Sequence, residues 1–229
     1  MERFIILNGQ RVKYTLTIKK VKNLNARIKR QGELCVSASL NTPIDSIEKF
    51  LVKNADFILK AIEKRRSKPT FNYLDGDKLF VFGEQKTLKL VLGANAIKQV
   101  EDMVVLSVEN LQDLSLKKKG LDTFYKHKTK QALDTLVDKV YLAFKQKYNI
   151  VFPKIKITKL TAAWGNCRKQ KNEIHFSTYL SKLDMQAIKY VIVHEFAHLL
   201  QYNHSAKFYK IVAEFMPEYK LIRQNMKKY

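Results

Sequence analysis

The sequence predicts an α+β protein in which an N-terminal part, rich in antiparallel strands and carrying one helix, precedes a helical C-terminal part with a small antiparallel sheet. Two observations indicate this class. Apolar and polar residues alternate in short runs over much of residues 3–108, whereas from residue 121 apolar residues recur at helical spacing. The run Lys117-Lys118-Lys119-Gly120 separates the two patterns, so we expect domains at residues 1–119 and 120–229.

Short strands open the chain. Residues 3–8 and 11–19 alternate on either side of Asn8-Gly9, a dipeptide typical of two-residue hairpin turns. A second strand pair, residues 25–29 and 34–39, is expected to turn at Gln31-Gly32. Further strands are expected at Lys78–Phe82, Thr87–Leu92, Ile97–Gln99 and Met103–Val108. No internal sequence repeat is evident.

One helix is expected in the N-terminal part, over residues 43–66. Thr42 is the expected N-cap and Pro43 the first helical residue, because proline is tolerated only in the first turn. A basic run ending at Pro69 stops the helix. In the C-terminal part, a helix over Leu121–Tyr148 and a strand over Ile155–Leu160 precede the returning strand Glu173–Phe176 and three closing helices.

The composition limits the function classes. A hydrophobic content of 46% allows a folded core, and no run of 18 apolar residues predicts a membrane-spanning helix. Two cysteines and an N-terminus without a signal-peptide pattern favour a reducing cytoplasm. The net charge of +22 predicts weak binding of polyanions, including nucleic acid, but only eight of the 43 basic residues are the arginines that specific phosphate recognition favours.

The strongest motif is His194-Glu195-Phe196-Ala197-His198, which follows an apolar run typical of a buried helix. Residues four apart on a helix lie about 40° from each other around its axis, so His194 and His198 can bind one metal ion. Glu195, offset by about 100°, can hold a metal-bound water as general base without being a ligand. This is the arrangement of zinc hydrolases.

A third histidine completes the expected ligand set. His204 follows His198 by six residues, and a catalytic zinc ion usually has three protein ligands and one open position. Because an uninterrupted helix would carry residue 204 away from the metal, the helix must break. Asn203 is expected to supply a left-handed turn and Ser205 the N-cap of the next helix.

Other residues near this motif have two possible roles each. Trp164 and Cys167 fit core packing better than substrate contact or metal ligation. Arg168 is either a surface residue or a group that stabilises an anionic intermediate. His175 is the alternative ligand should His204 not reach the metal, and the edge of strand Ile174–Phe176 is expected to pair with extended substrate.

Nearly the whole chain resembles the YgjP-like metallopeptidase family, which is related to the zincin-type SprT and WLM proteases. The matching stretches are Trp164-Gly165-Asn166-Cys167, Tyr190–Leu199, Asn203–Phe208 and Met216–Lys220, with looser matches in the N-terminal half. The resemblance implies a zincin-like domain at residues 120–229, with metal ligands His194, His198 and His204 and the base Glu195. Asn166 departs from the family pattern, which commonly has serine there.

These observations predict a zinc-dependent metallopeptidase with one Zn²⁺ per chain and a peptide or protein substrate. Two alternatives remain open. The same metal centre could hydrolyse nucleoside triphosphates to release pyrophosphate, with lysines holding the phosphates. Alternatively, the basic N-terminal half could dock on DNA, so that the protease acts on DNA-bound proteins. No membrane partner is expected.

Overall fold

The computed structural model describes residues 1–29, 32–67, 71–160, 162–226 and 229. These residues form two compact units, Met1–Thr70 and Phe71–Tyr229. Strands and helices occur in both units, which confirms the α+β class. Gln31 of the second expected turn, the helix stop at Pro69, and Thr161 lie outside the described residues.

The first unit contains a four-stranded sheet. Its strands are β1 (Glu2–Leu7), β2 (Gln10–Ile18), β3 (Asn25–Ile28) and β4 (Leu34–Ala38), in the order β1-β2-β4-β3. β1 and β2 form the expected hairpin, because Asn8 and Gly9 both adopt positive φ angles, of 45° and 79°. The central strands β2 and β4 are parallel, so the sheet is mixed and not purely antiparallel.

Two helices, α1 (Ile44–Lys53) and α2 (Ala55–Arg66), share a core with this sheet. The expectation of one helix over residues 43–66 is therefore wrong. Asn54 interrupts it with φ −107° and ψ 20°, and its side-chain amide donates to the Phe50 carbonyl at 2.8 Å. Pro43 occupies the N-cap position expected for Thr42, whose hydroxyl lies 2.8 Å from that of Ser39.

The second unit begins with a sheet of the same topology. Its strands are β5 (Lys78–Val81), β6 (Glu84–Leu92), β7 (Ala96–Val100) and β8 (Met103–Val108), in the order β5-β6-β8-β7. As in the first sheet, two antiparallel hairpins meet through a parallel central pair, here β6 and β8. The backbone therefore repeats a topology that no sequence repeat reveals.

The long helix α3 (Leu114–Tyr148) joins the two cores of this unit. It begins seven residues before the expected Leu121, because the Asp113 carboxylate accepts the Ser115 and Leu116 backbone N–H groups and so caps the helix there. The run Lys117–Gly120 lies inside α3, and Lys117 is buried with its ammonium donating to the Tyr73 carbonyl. A domain boundary after residue 119 stays a prediction.

A three-stranded sheet and three helices complete the unit. The strands are β9 (Lys154–Thr158), β10 (Gly165–Arg168) and β11 (Glu173–Ser177), and the helices are α4 (Met185–Leu200), α5 (Ala206–Phe215) and α6 (Tyr219–Asn225). β11 is central, antiparallel to β10 and parallel to β9, so this sheet is also mixed. In the part of the chain that the structure describes, no helix is long and apolar enough to cross a membrane.

Candidate metal centre

Helix α4 carries the first part of the site. The Asp184 carboxylate caps it by accepting the Ala187 backbone N–H at 2.8 Å. Most of the helix is buried in the larger core, through residues such as Ile188, Ile192 and Phe196. His194 and His198 are only partly buried and line a cleft at the surface of that core.

The chain leaves α4 at Gln201, where φ is −130° and ψ is 110°. The expected left-handed turn at Asn203 is therefore wrong, because the reversal begins two residues earlier in an extended conformation. The Gln201 side-chain amide donates to the side-chain oxygens of Asn203, at 2.7 Å, and Ser205, at 3.4 Å. Ser205 occupies the N-cap position of α5, as expected, but makes no side-chain capping bond.

This reversal brings His204 back to the two histidines of α4. The potential ligand nitrogens of His194, His198 and His204 all lie within 4.8 Å of one another. The Nε2 atoms of His194 and His204 are 3.0 Å apart, and the three ring centroids are separated by 4.8 to 5.0 Å. The structure thus brings together all three residues that the sequence selects, in a cluster that could hold one metal ion.

Neighbouring groups orient two of these imidazoles. The Nδ1 atom of His198 lies 3.2 Å from the Gln201 carbonyl, and that of His194 lies 3.4 Å from the Tyr190 hydroxyl. Both contacts occupy Nδ1 and leave Nε2 for a ligand, which is how partners of metal-binding histidines fix the tautomer.

Burial also favours the neutral form of these side chains. It is the largest cause that lowers the pKa of His194, to about 3, and neighbouring histidines and Arg223 lower it further. Burial likewise lowers the pKa of His198. Because a histidine must be neutral to donate its lone pair, both are in the form that binds metal at neutral pH.

Phe208 packs against all three imidazoles of the cluster. Its ring centroid lies 4.8, 4.5 and 4.9 Å from those of His194, His198 and His204, and its side chain is fully buried. Sequence reasoning gave Phe208 no role. Two signals could have found it: it ends the family-matching stretch Asn203–Phe208, and it is an apolar residue four positions after His204, on the first turn of the next helix.

Glu195 lies beside the cluster and is almost completely buried, with 5% exposure. The backbone N–H of Cys167 in β10 faces its carboxylate. Gly165 of the same strand packs so closely that a Cβ atom there would lie 2.6 Å from both Cγ and Oε1 of Glu195. Burial raises the pKa of Glu195 to about 8, and the Cys167 N–H opposes this rise. The segment Trp164–Cys167 therefore positions the carboxylate through its backbone.

The cluster opens into a cleft of about 690 Å³. Besides the three histidines and Glu195, it is lined by residues of β10, α4, α6 and the turn after α4, among them Trp164, Cys167, Tyr190, Arg223 and Met226. Arg223 was not among the sequence-selected residues. Arg168, which was, is exposed on β10 and is not part of the lining.

Two alternative ligands do not join the cluster. His175 is buried on β11, and its Nε2 atom lies 3.2 Å from the Glu173 carboxylate. Cys167 lines the cleft, but burial raises the pKa of its thiol to about 12, which opposes the thiolate that metal ligation requires. Among the described residues, the three histidines alone form a metal-ligating group of this kind.

The position of β11 also corrects an expectation about substrate. Strand Ile174–Phe176 cannot pair with a peptide, because both of its edges are occupied, by β9 and β10. β10 is an edge strand whose residues line the cleft, and its Gly165 packs against Glu195. An extended peptide in the cleft would therefore meet β10.

Comparison with known families identifies the chain. The family model described as YgjP-like, metallopeptidase domain, matches residues 22–229, which include every residue of the cleft. The chain belongs to the YgjP-like metallopeptidase family. Members of this family are metal-dependent peptidases, so the protein is assigned as a metallopeptidase with peptide or protein substrates.

Two further comparisons accompany the YgjP-like assignment. Among solved structures, the chain is similar to the crystal structure of the metallopeptidase zymogen of Pyrococcus abyssi abylysin. The two share 22% sequence identity with a TM-score of 0.37, over 40% of this chain and 92% of that chain. A search of the curated proteins found no match.

Proposed function

We propose that this YgjP-like protein is a zinc-dependent peptidase in which His194, His198 and His204 bind one Zn²⁺ per chain and Glu195 is the general base. The observation that carries the proposal is the cluster of three imidazoles, with ligand nitrogens within 4.8 Å, beside a buried carboxylate in one cleft. Three neutral imidazoles are a donor set that zinc favours, and they leave one coordination position open.

The chain's own groups would perform the proton transfers. When bound, zinc supplies a Lewis acid that polarises the scissile carbonyl, acidifies water and keeps Glu195 ionised through its charge. Glu195 then accepts a proton from the attacking water and passes it to the leaving amine.

The substrate would lie along β10. This strand has one unpaired edge at the cleft, so an extended peptide can add to it by backbone hydrogen bonds. Gly165 of this strand packs against Glu195, so a peptide paired with β10 would lie close to the carboxylate.

Peptide hydrolysis suits this cleft better than cleavage of nucleoside triphosphates. A triphosphate requires several cations, and of the described residues that line the cleft, Arg223 is the single lysine or arginine. Incubating the zinc-loaded protein with casein and, separately, with nucleoside triphosphates distinguishes the two. Peptide products without pyrophosphate support the proposal, and pyrophosphate without peptides opposes it.

Docking on DNA is a separate alternative that the net charge of +22 suggests. Nucleic-acid affinity that disappears at physiological ionic strength would remove it, whereas cleavage of DNA-bound proteins alone would support it. We also propose that the peptidase is located in the cytoplasm. Its two cysteines, Cys35 and Cys167, are free thiols, which supports a reducing compartment.

The decisive experiment replaces the base and keeps the ligands. In Glu195→Gln, peptide hydrolysis should fall by about 10²–10⁴-fold, because the group that moves the proton is lost. Zinc content should stay at that of the wild type. His127→Gln is the matched control, since His127 is exposed on α3 outside the cleft. Unchanged hydrolysis in Glu195→Gln would exclude the proposed mechanism.

A further inference from the structure

One part of the cleft is not explained by the hydrolytic machinery. Arg223 of α6 is exposed and lines the cleft. It is the one lysine or arginine among the described lining residues, although the whole sequence has 43 such residues. The cleft therefore offers a substrate a single guanidinium, together with the partly exposed side chain of Met226.

The guanidinium is hydrogen-bonded to Tyr209, which stacks on two other aromatic rings. Arg223 donates from Nη1 to the Tyr209 hydroxyl at 3.1 Å. The Tyr209 ring stacks on Tyr219, with centroids 5.6 Å apart and planes at 14°, and on His204, at 6.1 Å and 27°. Tyr209 therefore links the exposed Arg223 side chain to His204, one of the three histidines of the cluster.

We propose that Arg223 selects peptides with an aspartate or glutamate side chain next to the scissile bond. The inference rests on the proposed peptidase function and names its substrate class. A guanidinium pairs with a carboxylate through two parallel hydrogen bonds, and the partly exposed Met226, which also lines the cleft, offers apolar contact to the methylene groups of such a side chain. The net charge of +22 additionally attracts acidic proteins over longer distances.

Two other roles for Arg223 give different results. A guanidinium that stabilised charge on the scissile carbonyl would act on every peptide alike, mainly through kcat. A guanidinium that only supported Tyr209 and His204 would alter zinc content. Selection of a side chain, in contrast, changes the ratio between acidic and neutral substrates.

The ratio is measured with the zinc-loaded full chain and matched peptides that carry Glu or Gln at each position flanking the cleaved bond. At one flanking position, the wild type should prefer Glu over Gln by about 10- to 100-fold in kcat/KM, the usual effect of a charge-assisted hydrogen bond. Arg223→Gln should bring this ratio close to one, and Arg223→Glu should favour a Lys peptide. Arg27→Gln is the control, because Arg27 is exposed on β3.

Tyr209→Phe tests the positioning step. It keeps the charge of Arg223 but removes the hydroxyl to which the guanidinium donates, so the Glu-to-Gln ratio should fall to a value between those of the wild type and Arg223→Gln. A wild-type ratio near one at both flanking positions, or a ratio that survives Arg223→Gln, would overturn the inference.

A binding measurement separates this inference from the proposed chemistry. Trp164 is the only tryptophan of the chain and lines the cleft, so its fluorescence reports on peptide binding. In the Glu195→Gln background, the Glu peptide should bind more tightly than the Gln peptide, and adding Arg223→Gln should remove the difference. Equal affinities contradict the role of Arg223, whereas failure of the wild type to cleave any peptide contradicts the proposed function.

Discussion

At the scale of single residues, the site depends as much on a missing side chain as on those present. Gly165 lets β10 approach Glu195, where a Cβ atom would lie 2.6 Å from the carboxylate oxygen Oε1. Such a contact is shorter than van der Waals packing allows, so the carboxylate would have to move. The position of Glu195, the proposed general base, therefore depends on the residue type at 165.

Gly165→Ala should lower kcat by roughly 10²-fold, because displacements of about 1 Å cost that much in catalysis. Zinc content should not change, since the three atoms nearest to such a Cβ atom all belong to Glu195. Initial rates and metal analysis on the same preparation test both parts. Arg168→Gln, at an exposed position of the same strand outside the cleft lining, is the control, and a fully active Gly165→Ala protein contradicts this account of Glu195.

Some residues of the site could be predicted from the sequence, and others could not. His194, Glu195 and His198 follow from helical spacing, and His204 follows from the need for a third ligand. Roles for Gly165 and Arg223 could not be predicted from such spacing. They arise because β10 and α6 pack closely against α4, and periodicity in the sequence does not indicate such contacts. Arg168 was chosen for its charge and nearness in sequence, but it lies outside the cleft lining.

At the scale of elements, α5 contacts the cluster mainly through Phe208. Phe208 contacts all three imidazoles, while Phe144 of α3, equally buried in the same core, contacts other phenylalanines and a tyrosine. Comparing variants at Phe208 and Phe144 therefore distinguishes an effect on general core packing from an effect on the histidine cluster.

Phe208→Leu and Phe144→Leu should each reduce the free energy of unfolding by about 1–3 kcal/mol, as expected for truncation in a packed core. Zinc affinity should fall by about 10- to 100-fold only in Phe208→Leu, because the rings lose the surface that orients them. Chemical denaturation and competition with a zinc chelator measure the two quantities. Equal zinc affinities in the two variants would contradict the role of Phe208.

The parallel pair β9 and β11 carries an ionic contact outside the cleft. Lys156 donates to the Glu173 carboxylate at 2.7 Å, and His175 lies 3.2 Å from it. The contact with Lys156 is the largest cause that lowers the pKa of Glu173, to about 2, and His175 adds to it. Because the folded carboxylate resists protonation, it stabilises the fold above the unfolded pKa of about 4.5, and this contribution is lost as the pH falls toward 2.

Glu173→Gln should therefore lower stability at neutral pH and flatten the loss of stability between pH 4.5 and 2. Urea unfolding at a series of pH values measures this, with the exposed residue Glu109 changed to Gln as the control. A wild-type slope retained in Glu173→Gln would show that other carboxylates cause the acid sensitivity.

Sequence patterns within a short stretch predicted turns better than they predicted which strands pair. Asn8-Gly9 forms a hairpin turn because both residues tolerate positive φ angles, a property of the residues themselves. The parallel pairs β2/β4, β6/β8 and β9/β11 were missed, because pairing between distant strands depends on how connecting segments pack. The start of α3 was also placed late, since a run of lysines concealed the Asp113 cap.

At the scale of the whole molecule, every residue of the proposed site lies in the second compact unit, Phe71–Tyr229. The β5–β6 turn of that unit is joined to the segment before α4, because the Phe82 and Gly83 N–H groups donate to the carbonyls of Ser181 and Lys182 at 2.7 and 3.2 Å. The first sheet of the unit thus contacts the segment that leads into α4, the helix that carries His194 and His198.

Two fragments test where the domain that carries the site begins. Residues 71–229 should fold and bind zinc with the affinity of the full chain, because they retain both cores of the unit. Residues 120–229 would lack β5–β8 and expose the part of α3 that packs on them, so we expect weaker folding. Circular dichroism and zinc titration compare them. Full zinc affinity in the 120–229 fragment would instead support a boundary after residue 119.

The central claim is that three imidazoles bind a single zinc ion, and elemental analysis after extensive dialysis tests it most directly. The account predicts about one zinc per chain in the wild type and in Glu195→Gln, and loss of most of that zinc in His204→Ala. A wild-type chain that holds no zinc, or a His204→Ala chain that holds as much as the wild type, would contradict it.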